Sequence, residues 1–166
     1  MERSREYVIQ FIGLKDGDHE FKYPIGLEFF GSFNDEEVLD ANVTMHLTMN
    51  KKPEMLEVQF QAEGVVIVAC DRCDRPLEIE VEGQQRQVFK VSEREWFDNE
   101  EIVAISPSDH EIDVSEHIYE CIKLALPLRR VHKKKDCDPI AIEALEAIRS
   151  KDEPTGDPRW DALKAL

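Results

Sequence analysis

Two thiols three residues apart, Cys70 and Cys73 in Cys70-Asp71-Arg72-Cys73, are the residues best suited to chemistry. They follow the apolar run Val65-Val66-Ile67-Val68-Ala69 and precede Pro76-Leu77-Glu78-Ile79-Glu80-Val81. A strand, a tight turn and a returning strand point both sulfurs the same way, which is half of a metal knuckle. Zinc takes four thiolate, imidazole or carboxylate donors at tetrahedral angles, so two more are needed. His132 and Cys137, in a polar loop far along the chain, have enough slack between them for both to turn toward one ion. The set Cys70, Cys73, His132 and Cys137 offers three thiolates and one imidazole, with a formal charge of about -1 around a divalent ion that Arg72, Lys133, Lys134 and Lys135 are placed to offset. Cys121 competes with His132 for the fourth place. It falls between Ile118 and Ile122 on a helical stripe, where a thiol packs as a small hydrophobe.

The same pair has a redox reading. Dithiol catalysts place Cys-x-x-Cys where a strand feeds a helix, whose N-terminus lowers the first thiol's pKa. Here Pro76 and an alternating strand follow, which favours metal. His110-Glu111 and Glu116-His117 flank a helix start where acids suit the dipole, and are expected to be solvated. His46 is expected on an exposed strand face. Among these motifs there is no Gly-rich phosphate loop, nucleophile elbow or metalloprotease histidine pair, so a non-catalytic protein is expected. Arg129-Arg130-Val131-His132-Lys133-Lys134-Lys135 is the one concentrated basic stretch. Arg129, Arg130, Lys133, Lys134 and Lys135 could neutralise RNA phosphates, although no aromatics are interleaved for base stacking.

The elements that must position these groups can be read from periodicity. Tyr7 to Ile12 and Glu20 to Ile25 read as strands able to form a hairpin, the second an edge strand because of Pro24. The segment around Phe29, Phe30 and Phe33 shows no clear period. Val43, Met45, Leu47 and Met49 alternate with Thr44, His46 and Thr48, the pattern of a half-buried antiparallel strand. Asn50 to Pro53 is a turn, and Met55 onward alternates again up to the run ending at Cys70. Leu77, Ile79 and Val81 face inward on the return strand, with Glu78, Glu80 and Glu82 in water. Arg86 to Val91 extends the sheet, and Ile102 to Ile105 adds a short strand after an acidic loop around Trp96 and Phe97.

Asp113-Val114-Ser115-Glu116 forms a capping box, and Val114, Ile118, Cys121, Ile122 and Ala125 make an apolar helical stripe that stops at Leu126-Pro127. Asp138-Pro139 starts a second helix with Ile140, Ile142, Leu145 and Ile148. Lys151 to Gly156 reads as a linker, and Trp160, Leu163 and Leu166 as an amphipathic end segment. The fold class predicted is α+β: an antiparallel sheet, open or barrel-like, with C-terminal helices packed on it and the Cys-x-x-Cys hairpin at its end. Residues 1–150 form one such domain and 151–166 the linker and end segment.

The chain has 166 residues, 42% hydrophobic, with formal net charge -15. That field repels phosphate backbones and favours basic partners. No apolar run approaches the roughly 20 residues of a membrane span, and no export signal opens the chain, so a soluble cytoplasmic protein is expected. Four cysteines in such a compartment suit metal better than disulfides.

The ordered combination of Cys70-Asp71-Arg72-Cys73, Ile112-Asp113-Val114, Leu124-Ala125-Leu126-Pro127, His132, Cys137 and Asp157-Pro158-Arg159-Trp160-Asp161-Ala162-Leu163 resembles the YceD family. The motifs cover roughly the second half of the chain. Arg130 departs from the family pattern, standing where a second proline is common. The resemblance implies a role in accumulation of large-subunit ribosomal RNA, hence in ribosome biogenesis. Combined with the charge, it makes a basic ribosomal protein or assembling pre-ribosomal particle the expected partner, with Cys70, Cys73, Cys137 and His132 as site residues.

Overall fold

Alternating apolar residues from Val38 to Val91 build three long strands. In the computed structural model, which describes residues 5–93 and 101–149, these are β3 (Val38–Lys52), β4 (Met55–Ala69) and β5 (Pro76–Val91). They pair antiparallel, Leu47 opposite Phe60 and Phe60 opposite Gln85. Because successive strand side chains alternate in direction, this pattern can bury only one face. Val43, Met45, Leu47 and Met49 are buried on it with Leu56, Val58, Phe60 and Ala62. β2 (Gly17–Gly26) flanks β3 and carries Pro24 at the outer position where a missing N–H is tolerated.

Two pairings differ from those expected. β1 (Val8–Ile9) does not form a hairpin with β2; it pairs with β7 (Ile112–Asp113) as a separate ribbon. The reason lies in burial: Tyr7, Ile9 and Phe11 insert into the core, with the Tyr7 ring 5.0 Å from Phe29 and 5.6 Å from Tyr23. β6 (Ile102–Ile105) lies parallel to β5, Val88 opposite Ile102, so the sheet is mixed. Its order β2-β3-β4-β5-β6 leaves two outer strands, and the sheet is open instead of closed into a barrel. The aromatic segment without clear period forms the six-residue helix α1 (Leu27–Ser32), too short to show one, with Phe30 fully buried.

α2 (Ser115–Ala125) lies on the buried face of β4 and β5 through Val114, Ile118, Cys121 and Ile122. The N-cap is Val114, which makes no side-chain cap, so the expected capping box does not form; instead the Asp113 carboxylate, two residues before the helix, accepts the Ser115 amide at 2.9 Å, and Leu126 turns extended ahead of Pro127 as proline requires. Gly83 permits the contact, since a Cβ there would stand 2.7 Å from the Cys121 carbonyl oxygen. α3 (Pro139–Arg149) starts where Asp138 caps it, its carboxylate accepting the Ile140 amide at 2.8 Å. Its stripe is only partly covered among the described residues: Ile142 is half-buried, while Ile140, Leu145 and Ile148 are exposed. The acidic loop around Trp96 and Phe97, the linker 151–156 and the end segment 157–166 lie outside the described residues.

Candidate metal centre

The first two donors are delivered by β4. Gly64, at φ +154°, lets this strand pass close to β3, where a Cβ would meet the Asn42 oxygen and Val43 Cα, and the strand then runs on to Cys70. There the chain turns tightly. Cys70 donates its amide to the Arg75 carbonyl and accepts the Asp74 amide, both at 2.9 Å, with Asp74 at φ 59° completing the bend. The turn leaves Cys70 buried and Cys73 partly exposed.

The other two donors come from the segment between α2 and α3. Asp71 and Arg130 clasp this segment to the knuckle: the Asp71 amide donates to the Arg130 carbonyl at 2.8 Å, and the Arg130 amide to the Asp71 carboxylate at 2.6 Å. The Arg130 guanidinium also reaches Asp71 at 3.7 Å and Glu37 at 3.1 Å, and Lys123 on α2 joins Glu37 at 3.1 Å and Asp35 at 2.8 Å. Arg75 donates to the Asp136 carbonyl at 2.8 Å, closing the 3-10 turn Lys134–Asp136 onto the knuckle just before Cys137.

The result brings Cys70, Cys73, His132 and Cys137 together, one donor atom from each, all within 4.8 Å of one another. His132 Nδ1 is 3.5 Å from Cys73 Sγ, while Nε2 is 3.0 Å from the Pro76 carbonyl. A carbonyl can only accept, so Nε2 carries a proton, and in the neutral ring it is Nδ1 that presents a lone pair to the sulfurs. This is the arrangement metal-ligating histidines adopt, with the second nitrogen anchored to an outer acceptor. The Arg72 guanidinium sits 3.7 Å from Cys137 Sγ, placed to offset thiolate charge once a metal is held. Three soft sulfurs and one oriented imidazole are a donor set compatible with zinc.

The acid–base state of the cluster is set by crowding. Hydrogen bonds from the amides of Asp138 and Arg75 lower Cys73 to about 6, which favours its thiolate form. Burial pushes Cys70 up, but the amides of His132, Arg72 and Cys73 outweigh it and the net shift is downward. Burial raises Cys137, and the neighbouring Cys73 and Cys70 sulfurs raise it further; hydrogen bonds to Cys70 and Cys73 raise His132. Several acids in one small space cannot all ionise cheaply without a cation among them.

The remaining sequence candidates separate from this cluster. Cys121 is not in it; it is buried under α2 against Gly83, and burial lifts its thiol to about 11. His110 and His46 are exposed. His117 is not solvated: its ring stacks on Phe89 at 5.3 Å and lies 5.9 Å from Phe60, with both nitrogens buried and without a hydrogen-bond partner among the described residues. Helical spacing places 117 beside 114 and 121, a signal visible in the sequence. Of the basic residues, Arg130 is spent on Glu37 and Asp71, and Lys134 on Glu146 at 3.1 Å. Arg129, Lys133 and Lys135 are exposed and make no ion pair among the described residues. The supporting partners Asp71, Glu37, Lys123 and the Pro76 carbonyl carry no sequence signal beyond their nearness to a ligand or helix.

No helix among the described residues is long and apolar enough to cross a membrane. A family model described as large ribosomal RNA subunit accumulation protein YceD matches residues 58–166, a stretch containing all four donors. No curated protein and no solved structure matches.

Proposed function

Since the chain belongs to the YceD family, the large ribosomal RNA subunit accumulation proteins, we propose that it supports accumulation of that RNA as a non-catalytic cytoplasmic adaptor. In this reading a zinc ion held by Cys70, Cys73, His132 and Cys137 fixes a binding surface, and a basic ribosomal protein or an assembling particle is the partner. The observation that carries the reading is the convergence of four donor atoms within 4.8 Å from two segments about 60 residues apart. When bound, zinc would act structurally, tying the β4–β5 turn to the loop between α2 and α3. The Asp71–Arg130 clasp and the Pro76–His132 contact orient the donors. A net charge of -15 supports a cationic protein as the main partner, while Arg129, Lys133 and Lys135 remain available for local RNA contact. Affinity capture from lysate at moderate salt tests this: ribosomal proteins or pre-ribosomal RNA are expected, and recovery of neither contradicts it.

A second reading, a dithiol oxidoreductase, is favoured by one observation, the lowering of Cys73 to about 6. Reduction of insulin that depends on Cys70 and Cys73 would support it. Stoichiometric zinc without turnover would dismiss it.

A further inference from the structure

β5 pairs with β4 along its whole length, Pro76 to Lys90, but with β6 only from Val88 to Val91. On the side away from β4, the backbone of residues 77–86 therefore has no strand partner among the described residues, and no loop hydrogen bond serves it there. About half of those residues turn their N–H and C=O groups to that side. An open edge of this length is a template for another strand unless something blunts it. The opposite edge of the sheet is blunted by Pro24 in β2. The β5 edge has no proline after Pro76. It carries Glu78, Glu80 and Glu82, successive residues on the solvent face spanning about 13 Å at the usual strand rise. All three are exposed and in no ion pair among the described residues, and Glu82 stands directly opposite Glu63, a like-charge pairing that costs stability.

We propose that the free edge of β5 over residues 77–86 is a docking site for a cationic extended segment of a partner protein, which adds to the sheet as a sixth strand. Backbone hydrogen bonds supply the pairing, and Lys or Arg at alternate positions face Glu78, Glu80 and Glu82. The same carboxylates repel a second copy of this acidic chain and any RNA backbone, so the edge admits a basic strand and rejects the commoner alternatives. The site begins at Pro76, whose carbonyl anchors His132, so the donor cluster sets the start of the docking strand. This deepens the adaptor reading and rests on it for the nature of the partner.

The test uses the full chain and three capped ten-residue peptides: alternating lysine–valine, glutamate–valine, and lysine–proline, the last equal in charge but unable to form a strand ladder. The lysine–valine peptide is expected to slow hydrogen exchange at amides within 77–86 and to bind at least about 10-fold tighter than lysine–proline, the difference that a few backbone hydrogen bonds make. The glutamate–valine peptide should not bind. Glu80→Lys should weaken the lysine–valine peptide about threefold, and the triple reversal of Glu78, Glu80 and Glu82 to lysine should switch preference to glutamate–valine. Equal binding of the lysine–valine and lysine–proline peptides, protection elsewhere on the chain, or indifference to Glu80→Lys overturns the proposal. These titrations need no ribosomal component, so failure here and failure of the lysate capture are separate results.

Discussion

Single residues decide what the cluster can hold. His132 is a usable donor because the Pro76 carbonyl takes its Nε2 proton, and Cys121 is not because burial and Gly83 keep it under α2. Cys121→Ala should leave zinc content unchanged and lower stability by about 1 kcal/mol from lost packing, read by zinc assay and denaturant melt. His117 gives a pH signature. Burial between Phe60 and Phe89 lowers its pKa, against the raising effect of Glu120, Glu116 and Asp113. The folded state thus favours the neutral ring, so its stabilising share is full above the ordinary value of 6.5 and is lost as pH falls toward the depressed folded value. The melting temperature should fall on acidification from 6.5 toward the depressed folded value, and His117→Phe should flatten this part of the profile; an unchanged slope would refute the assignment. The Cys-x-x-Cys pair, His132 and Cys137 were legible as residue types and spacings. The helical stripe already set Cys121 apart as a core residue, whereas the Pro76 carbonyl that orients His132 was not legible, because it depends on where the loop lands on the start of β5.

At the scale of elements, the alternation of Val43 to Met49 and the stripe of α2 carried their own burial pattern, since period 2 and period 3.6 each leave one apolar face. The partners of β1 and β6 did not. Short strands choose neighbours by where their side chains bury, and Tyr7 and Ile9 find the core beside β7. α2 depends on its approach to β5. Gly83→Ala would set a Cβ 2.7 Å from backbone at Cys121, and should destabilise the protein by about 1–3 kcal/mol in a denaturant melt. The clasp between Asp71 and Arg130 uses the backbone N–H of residue 130. Proline has no N–H, and here the Arg130 amide donates to Asp71. Arg130→Pro should weaken zinc affinity about 10-fold in a chelator competition, as loss of an outer support commonly does; an unchanged affinity would show the clasp to be dispensable.

The whole molecule divides its charge unevenly. In a chain of net charge -15, the exposed cations Arg129, Lys133 and Lys135, in no ion pair among the described residues, belong to the segment that carries His132 and Cys137, while an acidic row in no ion pair among them lies on β5. That division is in keeping with the proposed adaptor, which would meet a basic protein along one surface and RNA at another. The chain belongs to the YceD family, described as large ribosomal RNA subunit accumulation proteins. The adaptor account rests on the four donors acting as one site that joins the sheet to the loop between its helices. Zinc content of the full chain, purified reduced and without chelator, is the most direct test of that. The account predicts stoichiometric zinc, lost in Cys70→Ser and in Cys137→Ser; a metal-free wild-type protein, or zinc retained in both variants, would contradict it.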